Sequence, residues 1–157
     1  MAVGLQTAAR RARFTGGAQS QSLHHDRQLV ALARSLATGD SPALAARVIG
    51  AVTREKIALV RQATAITERE LSSVQAFQNM TILHEDRVTG MRDGKRDFGL
   101  QLEIRCWDSV DARTAEPMGL SWQTLKSLAR KLVDSVPGVV SVTYHVAPKP
   151  PSTMEVV

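Results

Sequence analysis

The sequence is poor in several residue types on which whole classes of protein depend. It has one cysteine, Cys106, and only 2 Trp, 1 Tyr and 3 Phe among its 157 residues. A single cysteine excludes an intrachain disulfide, which fits a reducing compartment such as the cytoplasm. No apolar run approaches the roughly 20 residues that a membrane-spanning helix needs. We therefore expect a cytoplasmic protein without a membrane partner.

Acidic residues are scarce near the N-terminus. Residues 1–47 carry six Arg against two Asp, whereas Lys and Arg nearly balance Asp and Glu in the remainder of the chain. Apolar residues at helical spacing predict one short helix over Asp26–Ala37. Ser41-Pro42 then interrupts the pattern. We assign residues 1–40 to a basic, partly helical N-terminal arm and residues 41–157 to a second domain.

The second domain shows an alternation of helical and strand patterns. Its predicted elements are a helix from Thr53 to about Val74, strands Phe77–His84 and Phe98–Trp107, a helix capped by Ser121, a strand Val140–Val146, and a short strand at the C-terminal end. Asp93-Gly94 predicts a turn between the first two strands, and Pro137-Gly138 ends the second helix. The order predicts a two-layer α+β fold with both helices on one face of a mostly antiparallel sheet.

The second strand has two faces of different character. Leu100, Leu102, Ile104 and Cys106 point one way, and Gln101, Glu103, Arg105 and Trp107 point the other. The face with Glu103 and Trp107 combines a large aromatic side chain with charged ones, which is unusual for a face that meets only solvent, and one interpretation is a partner surface. The alternative is that Trp107 covers an edge of the core of its own chain.

The C-terminal end combines a turn, an alternating strand and a proline-rich corner. Lys149–Glu155 reads Lys-Pro-Pro-Ser-Thr-Met-Glu. This motif resembles the closing motif of GMP synthase, the amidotransferase that converts XMP to GMP. Arg47–Lys56 is similar to the segment that opens the family's C-terminal dimerisation domain, and Asp93–Arg96 is similar to its hairpin tip. The resemblance covers roughly residues 41–157.

The resemblance implies a homodimer and a nucleotide site. By resemblance, Lys149 would meet a nucleotide phosphate as a point charge. Thr153, Met154 and Glu155 would approach the ribose and base of XMP or a related purine nucleotide.

A glutamine before the first strand also faces the nucleotide in the family. Gln75 and Gln78 both compete for that position, because the loop spacing differs here. Our set of predicted binding residues includes Gln75.

The chemistry of amide formation has no visible counterpart in the sequence. The family performs it with an ATP-pyrophosphatase domain and a glutaminase domain. We find no pyrophosphate-binding loop, no nucleophilic cysteine with histidine and acidic partners, and no acidic cluster for Mg²⁺. We therefore predict no catalytic residue, no metal site, no cofactor and no activity of the chain alone. A separate ATP-pyrophosphatase subunit is the partner that the resemblance implies.

Two other functions compete with a dimerisation module of GMP biosynthesis. One is a free-standing regulatory protein that binds XMP or GMP through Lys149 and Glu155. The other is a KH-like nucleic-acid-binding module, which clamps the backbone through a Gly-x-x-Gly loop. The stretch Gly90–Gly94 is one residue too long for that loop and contains an acid. We therefore do not expect a nucleic acid partner.

Overall fold

The computed structural model describes residues 42–156 of the chain. The predicted arm over residues 1–40, with its helix Asp26–Ala37, lies outside the described residues. The elements are α1 Pro42–Ala45, α2 Arg54–Glu70, β1 Gln78–Arg92, β2 Lys95–Asp108, β3 Glu116–Pro117, α3 Trp122–Ser135 and β4 Val139–Tyr144. Their order and packing form the predicted α+β fold.

Both long helices begin at the predicted capping residues. The Thr53 hydroxyl accepts a hydrogen bond from Lys56 N at 3.3 Å, and the Ser121 hydroxyl accepts one from Thr124 N at 3.0 Å. Each hydroxyl satisfies an amide that the first helical turn leaves without a partner. Helix α2 ends at Glu70, earlier than predicted, and an ion pair with Lys131 ties its last turn to α3.

The sheet is mixed and is built around β2. Strand β1 pairs with it antiparallel along one edge, β3 pairs antiparallel with its last two residues, and β4 pairs with it parallel. The helix-facing side of the sheet is apolar, with Leu102 and Ile104 fully buried. Thr81 on β1 donates to the Thr67 hydroxyl of α2 at 2.8 Å, which joins the sheet to that helix.

The first hairpin is longer than predicted. The sequence predicted a loop from residue 85 to residue 97, but β1 and β2 pair continuously from Arg87 to the turn at Asp93-Gly94. Both turn residues have positive φ, 51° for Asp93 and 74° for Gly94, as a two-residue type I′ turn requires. Most residues of the extra pairs are exposed and several of them are charged, so the alternation that marks half-buried strands is missing there. We refer to residues 85–99 as the hairpin arm.

The predicted strand at the C-terminal end is wrong. Residues 145–156 form irregular backbone with bends and one turn, apart from an isolated bridge between Lys149 and Ala115. Pro148, Pro150 and Pro151 have no amide hydrogen, so Lys149 alone can donate to a neighbouring strand across this corner. We call residues 145–156 the C-terminal segment.

No helix within residues 42–156 is long and apolar enough to cross a membrane.

Candidate functional site

The C-terminal segment covers the face of β2 that points away from the helices. Arg105 on that face donates from Nη1 to the carbonyl of Thr153 at 2.8 Å and to that of Met154 at 3.1 Å. His145, just beyond β4, bonds through Nε2 to the Ser152 hydroxyl at 3.0 Å. Arg105 therefore fixes two main-chain carbonyls of the predicted nucleotide-binding motif, and His145 holds the side chain of its serine.

Arg105 is buried, with 8% of its surface exposed. A buried guanidinium needs a countercharge, and Glu103 supplies it through a bond of 2.6 Å from Arg105 Nε to Oε1. The arginine thus connects one carboxylate with two main-chain carbonyls. Its planar set of donors suits this task better than the ammonium of a lysine would.

Two histidines complete the environment of Glu103. His84 Nε2 lies 2.8 Å from Oε2, and His145 Nδ1 lies 3.3 Å from Oε1. Burial acts to raise the pKa of Glu103, but hydrogen bonds from Arg105 and His84 outweigh it and hold the pKa below its usual value. The four side chains, which we call the outer-face cluster, are His84, Glu103, Arg105 and His145.

Trp107 lies beside this cluster and is fully buried within its own chain. Its exposed fraction is 0%, and it packs with Met80, Ala115 and Met154. Its ring is also 5.3 Å from that of His145. The prediction of a partner surface at Trp107 is therefore wrong, and the alternative, an edge of the core, is confirmed.

Met154 holds the C-terminal segment against the sheet through this apolar cluster. The side chain is 7% exposed. A ligand contact from this position would therefore involve the main chain.

Lys149 is held at both its backbone and its side chain. Its amide donates to Ala115 O at 2.8 Å, and Ala115 N donates back to Lys149 O at 3.1 Å. Its ammonium donates to Ala112 O at 2.7 Å, in the loop between β2 and β3. An ammonium has three donors, so two stay available for an anion.

Thr153 and Glu155 are exposed on either side of the buried Met154 in the sequence. The Thr153 hydroxyl donates to Glu155 O at 2.6 Å, which closes a small turn around Met154. Glu155 follows this turn directly, and its side chain is exposed to solvent.

The two candidate glutamines occupy different positions. Gln75 is exposed in the turn before β1, whereas Gln78 is the first residue of β1 and pairs in register with Trp107. Directly opposed residues of an antiparallel pair share a face. Gln78 therefore lies on the face that the C-terminal segment covers, and Gln75 lies in the connection just outside it.

The outer-face cluster holds and orients the C-terminal segment, and Cys106 does not face this cluster. Cys106 is buried on the helix side, and burial raises the pKa of its thiol, which disfavours the reactive thiolate. Within residues 42–156, no group of three or more His, Cys, Asp or Glu side chains could hold a metal ion.

Sequence reasoning missed Arg105 and His145 as parts of the site. The alternating pattern placed Arg105 correctly on the face of Glu103. It carried no information about which other segment covers that face, because Met154 is 49 positions away.

A family model described as the GMP synthase C terminal domain matches residues 65–156, more than half of the chain. The chain belongs to this family. The matched range contains all of the outer-face cluster and the whole C-terminal segment. The sequence-based resemblance is therefore confirmed.

Relatives of this domain are named as GMP synthases or as subunits of them. The chain is 40% identical over 118 residues to a GMP synthase [glutamine-hydrolyzing] of Aeropyrum pernix, a match that covers 73% of the chain and 23% of the relative. It is 43% identical over 115 residues to one subunit of the GMP synthase [glutamine-hydrolyzing] of Methanocella arvoryzae, covering 73% of the chain and 37% of the relative. The like-named subunit of Methanothermobacter thermautotrophicus is 38% identical over 118 residues, with 73% and 38% covered. The chain thus spans well under half the length of these relatives.

Proposed function

We propose that this domain binds XMP or a related purine nucleotide at its C-terminal segment, self-associates, and has no catalytic activity of its own. The observation that carries the nucleotide site is the double hydrogen bond from Arg105 to the carbonyls of Thr153 and Met154. It holds in one conformation a segment that would otherwise have to be ordered when the ligand binds. Ordering the segment beforehand lowers the cost of binding.

The proposed contacts follow from the groups that stay available. Lys149 offers two N–H donors to the phosphate. The exposed carboxylate of Glu155 accepts from donors of the ribose or the base. Thr153 and the main chain at Met154 lie between these two charges, and Gln75 or Gln78 approaches from the start of β1.

Amide formation would need a partner that supplies ATP chemistry. Relatives that are named as single subunits of a synthase support an arrangement in which the enzyme is divided among chains. We propose a separate ATP-pyrophosphatase subunit as that partner, and a cytoplasmic location for the assembly.

Isothermal titration of the chain with XMP tests the nucleotide site. We expect micromolar binding, and a loss of about tenfold or more in Lys149→Ala, because charge-assisted hydrogen bonds contribute about 1.5–3 kcal/mol each. Lys126→Ala is the matched control, since it removes the same charge from the exposed surface of α3. A parallel titration with AMP tests whether the site distinguishes the base of XMP from adenine.

An absence of heat with XMP in the unaltered chain would contradict the nucleotide site. If Lys149→Ala and Lys126→Ala weaken XMP binding equally, Lys149 contributes only to the overall positive charge of the protein and makes no specific contact with the nucleotide.

A further inference from the structure

The loop from Ser109 to Thr114 is shaped by two of its own side chains. Ser109 Oγ donates to Thr114 O at 2.6 Å and accepts from Ala112 N at 3.0 Å. Asp111 Oδ1 accepts from Arg113 N at 2.9 Å and from Thr114 N at 3.3 Å. These four bonds close the loop on itself although its residues are largely exposed.

Ala112 lies at the apex of this loop in an unfavourable backbone conformation. Its φ is +59°, a region that alanine rarely adopts. The bonds of Ser109 and Asp111 on either side of it hold this conformation. One consequence is the direction of the Ala112 carbonyl, which accepts from Lys149 Nζ at 2.7 Å.

Charge reinforces the geometry at this point. Hydrogen bonds from Arg113 N and Thr114 N, followed by the nearby charge of Lys149, lower the pKa of Asp111. The carboxylate therefore stays ionised at neutral pH. It provides a negative charge close to the ammonium as well as the bonds that shape the loop.

We propose that Ser109 and Asp111 are positioning residues that fix the ammonium of Lys149 through the carbonyl of Ala112. This inference rests on the proposed function in one respect, because it makes the fixed ammonium the group that receives a nucleotide phosphate. A free lysine side chain samples many rotamers, and a lysine held at both ends loses less freedom on binding an anion. One N–H is committed to the loop, and the directions of the other two are limited accordingly.

The first test measures the affinity for XMP in Ser109→Ala and Asp111→Ala. Each variant is expected to bind about three- to tenfold more weakly, the range that corresponds to ordering one flexible side chain. Asp111→Asn keeps an oxygen acceptor without the charge and is expected to recover most of the loss. Asp134→Ala is the matched control, because it removes an exposed carboxylate from the last turn of α3.

A double-mutant cycle separates positioning from an independent effect. In a Lys149→Ala background, Asp111→Ala is expected to cause no further loss. Additive losses in the double variant would overturn the inference, because they would mean that the loop acts on the nucleotide without Lys149.

A measurement without nucleotide tests the restraint directly. In proton–carbon NMR spectra, the two Hε protons of Lys149 are expected to be inequivalent in the unaltered chain and to merge in Ser109→Ala and Asp111→Ala. Lys126, exposed on α3, is the internal reference. Merged Hε signals in the unaltered chain, or signals that neither variant changes, would overturn the inference, whatever the affinities for XMP are.

The two kinds of failure are distinguishable. If Lys149→Ala leaves XMP binding unchanged while the NMR signals respond to Asp111→Ala, the proposed role of Lys149 in the nucleotide site fails and the restraint stands. If Lys149→Ala weakens binding while neither loop variant changes the affinity or the signals, the nucleotide site stands and the inference fails.

Discussion

Glu103 is the residue on which three basic side chains converge. Arg105, His84 and His145 all contact its carboxylate, at distances between 2.6 and 3.3 Å. The same arginine holds the carbonyls of the C-terminal segment. The charge of Glu103 therefore supports both the stability of the sheet and the conformation of the proposed site.

This arrangement predicts how stability depends on pH. The pKa of Glu103 is lower in the folded chain than its ordinary value of about 4.3. Its charge therefore stabilises the fold fully above that ordinary value, and the contribution is lost as the pH falls through the folded-state pKa. In Glu103→Gln, the free energy of unfolding should fall by about 2–3 kcal/mol at pH 7, because a charge-assisted network loses its anion.

Urea denaturation at several pH values checks this prediction. The difference in unfolding free energy between the unaltered chain and Glu103→Gln should shrink as the pH falls below about 4.3, where Glu103 gains its proton first in the unfolded and then in the folded chain. Glu68→Gln, at an exposed position on α2, is the control. A difference that does not change with pH would show that the shape of Glu103, and not its charge, is what matters.

The roles of individual residues could be predicted from the sequence where neighbouring side chains determine the local structure. The caps at Thr53 and Ser121 and the turn at Asp93-Gly94 follow from side chains that act within three or four positions. The alternation along β2 also gave the correct faces. The contact between Arg105 and the C-terminal segment depends on a meeting of distant parts of the chain, and no local pattern encodes it.

At the scale of elements, the hairpin arm depends on close packing against β4. A side chain at Gly99 would place its Cβ 2.6 Å from Gly138 O, and one at Gly90 would place it 2.7 Å from the Cβ of Val140. The strands approach so closely only because both positions lack a side chain. The sequence showed these glycines, but only the register shows that they face the same valine.

Gly99→Ala should therefore destabilise the sheet. The added methyl group meets backbone at Gly138, which cannot rotate away, and overpacking of this kind costs about 1–3 kcal/mol. Gly119→Ala is the matched control, because its Cβ would have open space and its φ is not positive. Chemical denaturation of the two variants compares them. Equal stability of both would contradict the close packing of the hairpin arm on β4.

The prolines near the C-terminal end explain why the strand predicted there does not form. The sequence pattern after Pro151 predicts a short strand, which the structure does not contain. Strand pairing requires amide donors, and Lys149 has the only one between Pro148 and Pro151. The amide of Ser152 instead donates to Pro148 O at 3.1 Å, which closes a turn.

At the scale of the whole molecule, the hairpin arm exposes two large apolar side chains. Phe98 pairs in register with Thr89, and Met91 pairs with Arg96, so Phe98 and Met91 share the face that points away from Val140. They are 58% and 69% exposed. Adjacent apolar side chains with this exposure favour a protein contact, and we propose that a second copy of the chain covers them.

Sedimentation equilibrium of the chain tests this proposal. We expect a particle of twice the 17.1 kDa chain mass at tens of micromolar. Phe98→Asp should weaken the dimer by about a hundredfold or more, because a two-fold interface loses the same buried aromatic side chain from both copies, each contributing about 1.5–3 kcal/mol. Val110→Asp is the control, since this valine is 98% exposed in the loop after β2. A chain that stays monomeric, or a dimer that both variants weaken equally, would contradict an interface at the hairpin arm. Because the XMP titration depends on a different part of the sheet, Phe98→Asp also reports whether the nucleotide site needs the dimer.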